Sequence, residues 1–234
     1  MTDMDLAERA LTVHETLLDY YGNPQWLDPM PPLDQLVSTI LSQNTNDANR
    51  DRAYRALRAR FPTWEAVRDA EESEVIAAIR PAGLANQKGP RIQNVLREIT
   101  AQCGSLDLSF LADMTVEDAS AWLMNFKGVG PKTAAIVLQF SLGKPAFPVD
   151  THIYRVTGRL GLRPQKMSPD QAHIHLAKLF PPEAYYPLHL NLIRLGREIC
   201  HARRPLCASC PLNNYCDYYA SAFPQRRIEL TQTP

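Results

Sequence analysis

Apolar residues recur at intervals of three and four through most of the chain: Leu33, Leu36, Val37, Ile40 and Leu41, then Ile92, Val95, Leu96 and Ile99, then Ile136, Val137 and Phe140. That is the repeat of a helix with one buried face. The same spacing joins Leu6, Ala10, Leu17 and Leu18 near the start, Ile153, Val156 and Leu160 further on, and Leu188, Leu192, Leu195 and Ile199 before a group of cysteines. No stretch alternates between apolar and polar residues for long enough to predict a strand. Proline-rich breaks at 28–32, 80–83, 163–164 and 181–182 separate the helical stretches, because proline lacks an N–H and collides with the preceding turn. The predicted fold class is all-α, made of many short helices with tight connections. No internal repeat appears, and the chain from about residue 220 loses its periodicity and is expected to fray.

Composition adds that the 234 residues are 45% apolar and 21% charged, enough to bury a sizeable core. No apolar run approaches a membrane-spanning length, and the start is acidic without a greasy stretch, so no membrane partner and a cytoplasmic location are expected. The net charge is zero, yet it is unevenly spread. Residues 1–118 hold nineteen acidic and eleven basic side chains, whereas residues 119–234 hold six and fourteen. A basic half on a neutral chain suits a protein that meets a polyanion on one face, with plain solvated charge as the alternative.

Four of the five cysteines, Cys200, Cys207, Cys210 and Cys216, fall within seventeen residues in the pattern C-x6-C-x2-C-x5-C. In a reducing compartment such clustering points to metal rather than disulfides. Soft thiolates select tetrahedral zinc or an iron–sulfur cluster, and spacing alone does not separate the two. Arg203 and Arg204 lie between the first two cysteines, on a turn that could grip phosphate or could simply be solvated.

Upstream, Phe126-Lys127-Gly128-Val129-Gly130-Pro131-Lys132 joins two amphipathic stretches and reads as helix, glycine hairpin, helix. Pro131 suits the first turn of the second helix, and N–H groups at a helix start bind phosphate. Lys132 also falls in that first turn, where the helix dipole disfavours an ammonium group. An amine so placed can be activated as a nucleophile, or can simply contact phosphate. Asp150 precedes a helix predicted to start near Thr151 and is a natural N-cap. A carboxylate held there stays ionised and could stabilise positive charge developing on a sugar, while His152 reads as structural.

Taken together, L-S-Q-N-T-N-D at 41–47, G-L-A-N-Q-K at 83–88, G-V-G-P-K at 128–132, V-D-T-H at 149–152 and the cysteine spacing resemble endonuclease III, of the helix-hairpin-helix DNA glycosylases. The resemblance implies two helical domains: a helical-barrel domain over 30–145 carrying the hairpin, and a cluster domain from 1–29 with 146–234. It implies a bifunctional glycosylase and abasic-site lyase of base excision repair, acting as a monomer on double-stranded DNA with oxidised pyrimidines or abasic sites. Lys132 matches the family's catalytic lysine and Asp150 its catalytic aspartate. Cys200, Cys207, Cys210 and Cys216 match the ligands of a four-iron, four-sulfur (4Fe-4S) cluster, which decides iron–sulfur over zinc. Gly128, Val129 and Gly130 match the phosphate clamp, and Leu84 the wedge that fills the space of an extruded base, as an apolar side chain can. Asn44 stands where the family usually has glutamine, which puts the range of damage recognised in question. Adenine mismatch glycosylases need a glutamate where this chain has Thr39, and they lack a lysine at the position of Lys132. The competing class is a DNA-binding or monofunctional repair protein with a structural metal loop, in which Lys132 only touches phosphate.

Overall fold

The computed structural model describes residues 5–223, and within them the chain is helical without strands. Its helices are α1 (Leu6–Tyr21), α2 (Pro32–Ser42), α3 (Asp47–Arg60), α4 (Trp64–Asp69), α5 (Glu72–Ile79), α6 (Ala85–Cys103), α7 (Val116–Met124), α8 (Pro131–Leu142), α9 (Thr151–Arg159), α10 (Pro169–Leu179), α11 (Tyr185–Glu198) and α12 (Asp217–Ala222). Short 3-10 turns connect several of them. The chain divides into two compact units, one formed by residues 28–144 and the other by 1–27 together with 145–234.

In the 28–144 unit, α2 packs against α8 and α3. Its predicted face of Leu33, Leu36, Val37, Ile40 and Leu41 is buried. Helix starts are fixed by side-chain caps, since Asn46, Thr63 and Thr115 each accept an N–H from the residue three positions on. The buried Gln93 donates to the carbonyls of Val67 and Ala70 and so closes the end of α4. Helix α8 departs from expectation. Its buried residues include Ala134, Val137 and Leu138, while Ile136 and Phe140 are only half-buried. A helix enclosed on most sides shows little contrast between faces, so its apolar pattern does not reveal which side is inside. Pro90 lies inside α6 rather than ending it.

The other unit brings the two ends of the chain together. Ala10, Val13 and Leu17 of α1 share a core with Val156 and Leu160 of α9 and with Leu188, Leu192 and Leu195 of α11. Asn191 donates to the carbonyls of Leu17 and Gly22, and Arg9 pairs with Asp217 at 2.9 Å. Helix α12 continues through the point where periodicity fades and ends at Ala222. The fraying expected beyond residue 223 lies outside the described residues.

This arrangement redistributes the charge. Because acidic α1 joins the basic second half, the unit of 1–27 and 145–234 holds eleven acidic and twelve basic residues, against fourteen and thirteen in the other. The split seen along the sequence is therefore not a split between units. Any phosphate-binding face is built from local placement of side chains rather than from a basic domain. No helix among the described residues is long and apolar enough to cross a membrane.

Candidate functional site

The glycine hairpin connects α7 to α8 and is anchored by its middle residue. Val129 is buried and donates its N–H to the Phe126 carbonyl at 3.0 Å, leaving Gly128 and Gly130 exposed on either side. Gly128 has φ of 87° and packs directly on Arg91. Gly130 is the N-cap of α8 with extended φ of −103°, and a Cβ there would meet nothing within 4 Å. The open space over Gly130 is what a backbone needs to approach a ligand closely. No side chain caps α8 and Pro131 has no N–H, so the first-turn amides of Lys132 and Thr133 lack side-chain acceptors. Lys132 is the second residue of this helix and is half-buried. Among the described residues of its unit none bonds its Nζ, so the amine is held by its stem alone.

Two further candidates in the same unit stand on strained backbone. Asn44 has φ of 53° and Leu84 has φ of 50°, and both side chains are exposed, Leu84 by 47%. Left-handed backbone costs an L-residue about 1–2 kcal/mol, less for asparagine. An exposed leucine in that conformation opposes both solvation and backbone preference, a combination that collects at functional positions.

What holds these segments escaped the sequence reading. Lys88 is only 1% exposed, and its Nζ donates to the Leu41 carbonyl at 2.8 Å and the Ala82 carbonyl at 2.9 Å. Burial, with the neighbouring Arg91 charge adding, lowers its pKa from the usual lysine value. Arg91 donates to Gln43 Oε1 at 2.7 Å, and Gln43 donates through Nε2 to the Gly128 carbonyl at 3.1 Å. Helix α6 thus reaches the segment of Asn44, the segment of Leu84 and the hairpin. A signal was present: 88 lies in phase with the buried positions 92, 95 and 99, so a lysine there had to be buried or the helix had to turn.

In the other unit Asp150 caps α9, with Oδ1 accepting the Ile153 N–H at 2.8 Å. The segment before it is fixed by two histidines. His173 Nδ1 lies 3.3 Å from Val149 N and 3.1 Å from the Phe147 carbonyl, and the buried His189 Nδ1 lies 2.9 Å from the Pro148 carbonyl. One carboxylate oxygen is therefore committed to the cap, and Asp150 is half-buried. His152 packs at 3.1 Å from Arg155, consistent with a structural role.

Cys200, Cys207, Cys210 and Cys216 line one pocket, together with Val156, Leu160 and Leu195. Burial raises the thiol pKa of Cys207 and Cys216, and pushes Cys210 up to about 11, with neighbouring cysteine charges adding in each case. Thiols in such a group become thiolates readily only when a cation offsets their charge. Four thiols lining one pocket are the soft donor set that an iron–sulfur cluster takes. Arg159 donates to Cys200 Sγ at 3.2 Å and to the His201 carbonyl at 2.7 Å, bracing the loop. Arg203 and Arg204 are exposed, and Arg204 has φ of 53°.

An all-helical chain with a glycine hairpin, a lysine behind it and a four-cysteine loop defines a class of helix-hairpin-helix DNA repair proteins. Residues 37–182 match the HhH-GPD superfamily base excision DNA repair protein family, and residues 200–216 match the iron–sulfur binding domain of endonuclease III. The chain belongs to the HhH-GPD superfamily and, within it, to the endonuclease III family. It is 34% identical to Endonuclease III of Thermotoga maritima over 188 residues, covering 80% of this chain and 84% of that protein. A Putative DNA glycosylase of Arabidopsis thaliana is 38% identical over 181 residues, 77% of this chain, and the match spans 59% of that longer protein. Among solved structures, that of a non-covalent Endonuclease III-DNA complex superposes with a TM-score of 0.80 at 26% identity, covering 94% of this chain and 99% of the other. The family carries an iron–sulfur cluster, which agrees with the thiol pocket.

Proposed function

We propose that the protein is a bifunctional DNA glycosylase and abasic-site lyase of base excision repair, acting on oxidised pyrimidines in duplex DNA. The observation that carries this reading is Lys132: an amine in the first turn of α8, behind an open-backed hairpin, with no partner in its unit. In the proposed reaction the Lys132 Nζ attacks C1′ of the damaged nucleotide, the C1′–N bond breaks and the base leaves with a proton. Opening of the sugar ring gives an imine between Nζ and C1′. Loss of a C2′ proton then expels the 3′ phosphate by β-elimination, and water releases the lysine. Asp150 assists by stabilising positive charge on the sugar as the base departs.

Gly128 and Gly130 present backbone N–H groups to the phosphate chain, while the buried Val129, its own N–H held by the Phe126 carbonyl, anchors the hairpin between them, and Arg203 and Arg204 are further contacts. Leu84 and Asn44 occupy the space around the extruded nucleotide. Cys200, Cys207, Cys210 and Cys216 hold the 4Fe-4S cluster, which when bound supplies four metal–thiolate bonds that close the 200–216 loop. Residues 28–144 correspond to the helical-barrel domain and the remainder to the cluster domain. The partner is double-stranded DNA, met by a cytoplasmic monomer.

Borohydride trapping on a duplex with a single abasic site tests the reading, because reduction turns a transient imine into a stable adduct. Wild type is expected to give an adduct and Lys132→Ala none, with both proteins carrying the visible absorbance of the cluster. Absence of adduct from cluster-loaded wild type overturns the lyase assignment in favour of a monofunctional or purely binding protein.

A further inference from the structure

The two carbonyls bound by Lys88 each end a helical turn just before a strained residue. Leu41 lies in the last turn of α2, three residues before Asn44, and Ala82 ends the 3-10 turn Arg80–Ala82, two residues before Leu84. Terminal carbonyls have no helical N–H to accept and form the negative end of the helix dipole, so one ammonium satisfies two such ends at once. Neither left-handed residue sustains its own conformation, and strain of this kind persists only where the surroundings over-determine it. Arg91, one turn along the same helix, reaches Gln43 beside Asn44 and through it the hairpin carbonyl of Gly128.

We propose that Lys88 is a positioning residue that holds the Asn44 and Leu84 segments in register with each other, so that both side chains enter the duplex together when a base is extruded. The proposal rests on the function proposed above for those two residues. A lysine serving only to fill the core has no need of carbonyls from two separate segments, and methionine would fill the same volume. Burial and the nearby Arg91 charge both lower the Lys88 pKa, the cost of desolvating an ammonium against which the two carbonyls act.

The test compares cluster-loaded wild type with Lys88→Met and Lys88→Gln, the latter able to donate to one carbonyl or both through a neutral amide. Three readouts are followed: amide hydrogen exchange of the free protein, 2-aminopurine fluorescence opposite a tetrahydrofuran abasic analogue, and turnover. In Lys88→Met, exchange at 42–46 and 83–87 is expected to quicken about tenfold or more, with the rest of the unit unchanged. The fluorescence rise on binding, which reports unstacking by an inserted side chain, should fall by about half or more. Base removal from a thymine glycol duplex should drop about tenfold, while trapping on a preformed abasic site, where no base has to be displaced, stays within about threefold. Lys88→Gln should recover part of each loss.

Unchanged exchange in both segments overturns the proposal. So does a loss of every activity in proportion to the folded fraction, which marks a merely structural lysine. Should Lys88→Met fail to fold, the same criteria apply to Lys88→Gln. Should wild type neither remove thymine glycol nor trap, the proposed function fails on its own, and the exchange and fluorescence measurements still decide the role of Lys88.

Discussion

Gly128 and Arg91 are packed as closely as backbone and side chain allow: a Cβ on Gly128 would lie 2.5 Å from Arg91 Nε and 2.6 Å from its Cδ. With φ of 87° the same position also disfavours any L side chain. Gly128→Ala should therefore destabilise the protein by about 1–3 kcal/mol, read as a lower urea midpoint at unchanged slope. Gly130 meets neither constraint, so Gly130→Ala should cost about 1 kcal/mol or less while weakening binding to an abasic duplex. Equal stability losses at the two positions would contradict the packing constraint assigned to Gly128 alone.

Leu84 gives the opposite balance between stability and function. An exposed leucine at φ of 50° gains little from burial and strains the backbone, and glycine removes the strain at the cost of unfolded-chain entropy. Leu84→Gly should unfold within about 1 kcal/mol of wild type, where a core leucine truncated in this way loses 2–5 kcal/mol. Base removal in single turnover should nevertheless fall about tenfold or more. A large stability loss would show that Leu84 is a packing residue after all.

Asp150 combines two roles that substitution can separate. Asparagine caps a helix about as well as aspartate, so Asp150→Asn should keep the bond to the Ile153 N–H and unfold within about 0.5 kcal/mol of wild type. Asp150→Ala should lose about 1 kcal/mol more through the cap. Base removal should fall about a hundredfold or more in both, since neither carries the charge that stabilises the departing transition state. Retained activity in Asp150→Asn would reduce the residue to a cap.

Where the sequence was readable, a single local rule governed the outcome. The buried faces of α2 and α11 followed from apolar spacing, and the Asp150 cap from an acidic residue ahead of a helical stretch. The cysteine loop was legible because ligand chemistry demands those residue types at short range. What stayed hidden depends on contacts distant in sequence. Lys88 could be quoted within G-L-A-N-Q-K without a role, because its acceptors belong to residues 41 and 82, brought together only by packing. The charge asymmetry misled for a related reason: α1 is first in sequence but folds with the last helices, and Arg9 finds its partner at Asp217. Periodicity also failed on α8, whose enclosure on most sides erases the contrast that defines a face.

The same joining of the chain ends places His14 of α1 under half-burial, with an Nδ1 that has no hydrogen-bond partner among the described residues. Desolvation lowers its pKa below 6.5, outweighing the opposing pull of Glu15 and Glu183. The neutral ring is thus favoured in the folded state. As pH falls, the unfolded chain takes up this proton first, near 6.5, so folding stability declines from there until the folded imidazole also titrates. Urea unfolding at pH 7 and pH 5 should therefore show a larger loss for wild type than for His14→Gln, whose side chain carries no charge at either pH. Other titrating groups shift both proteins alike and cancel in the difference. Parallel losses would mean that His14 has the same proton affinity folded and unfolded, and that its burial leaves the charged form as well solvated as water does.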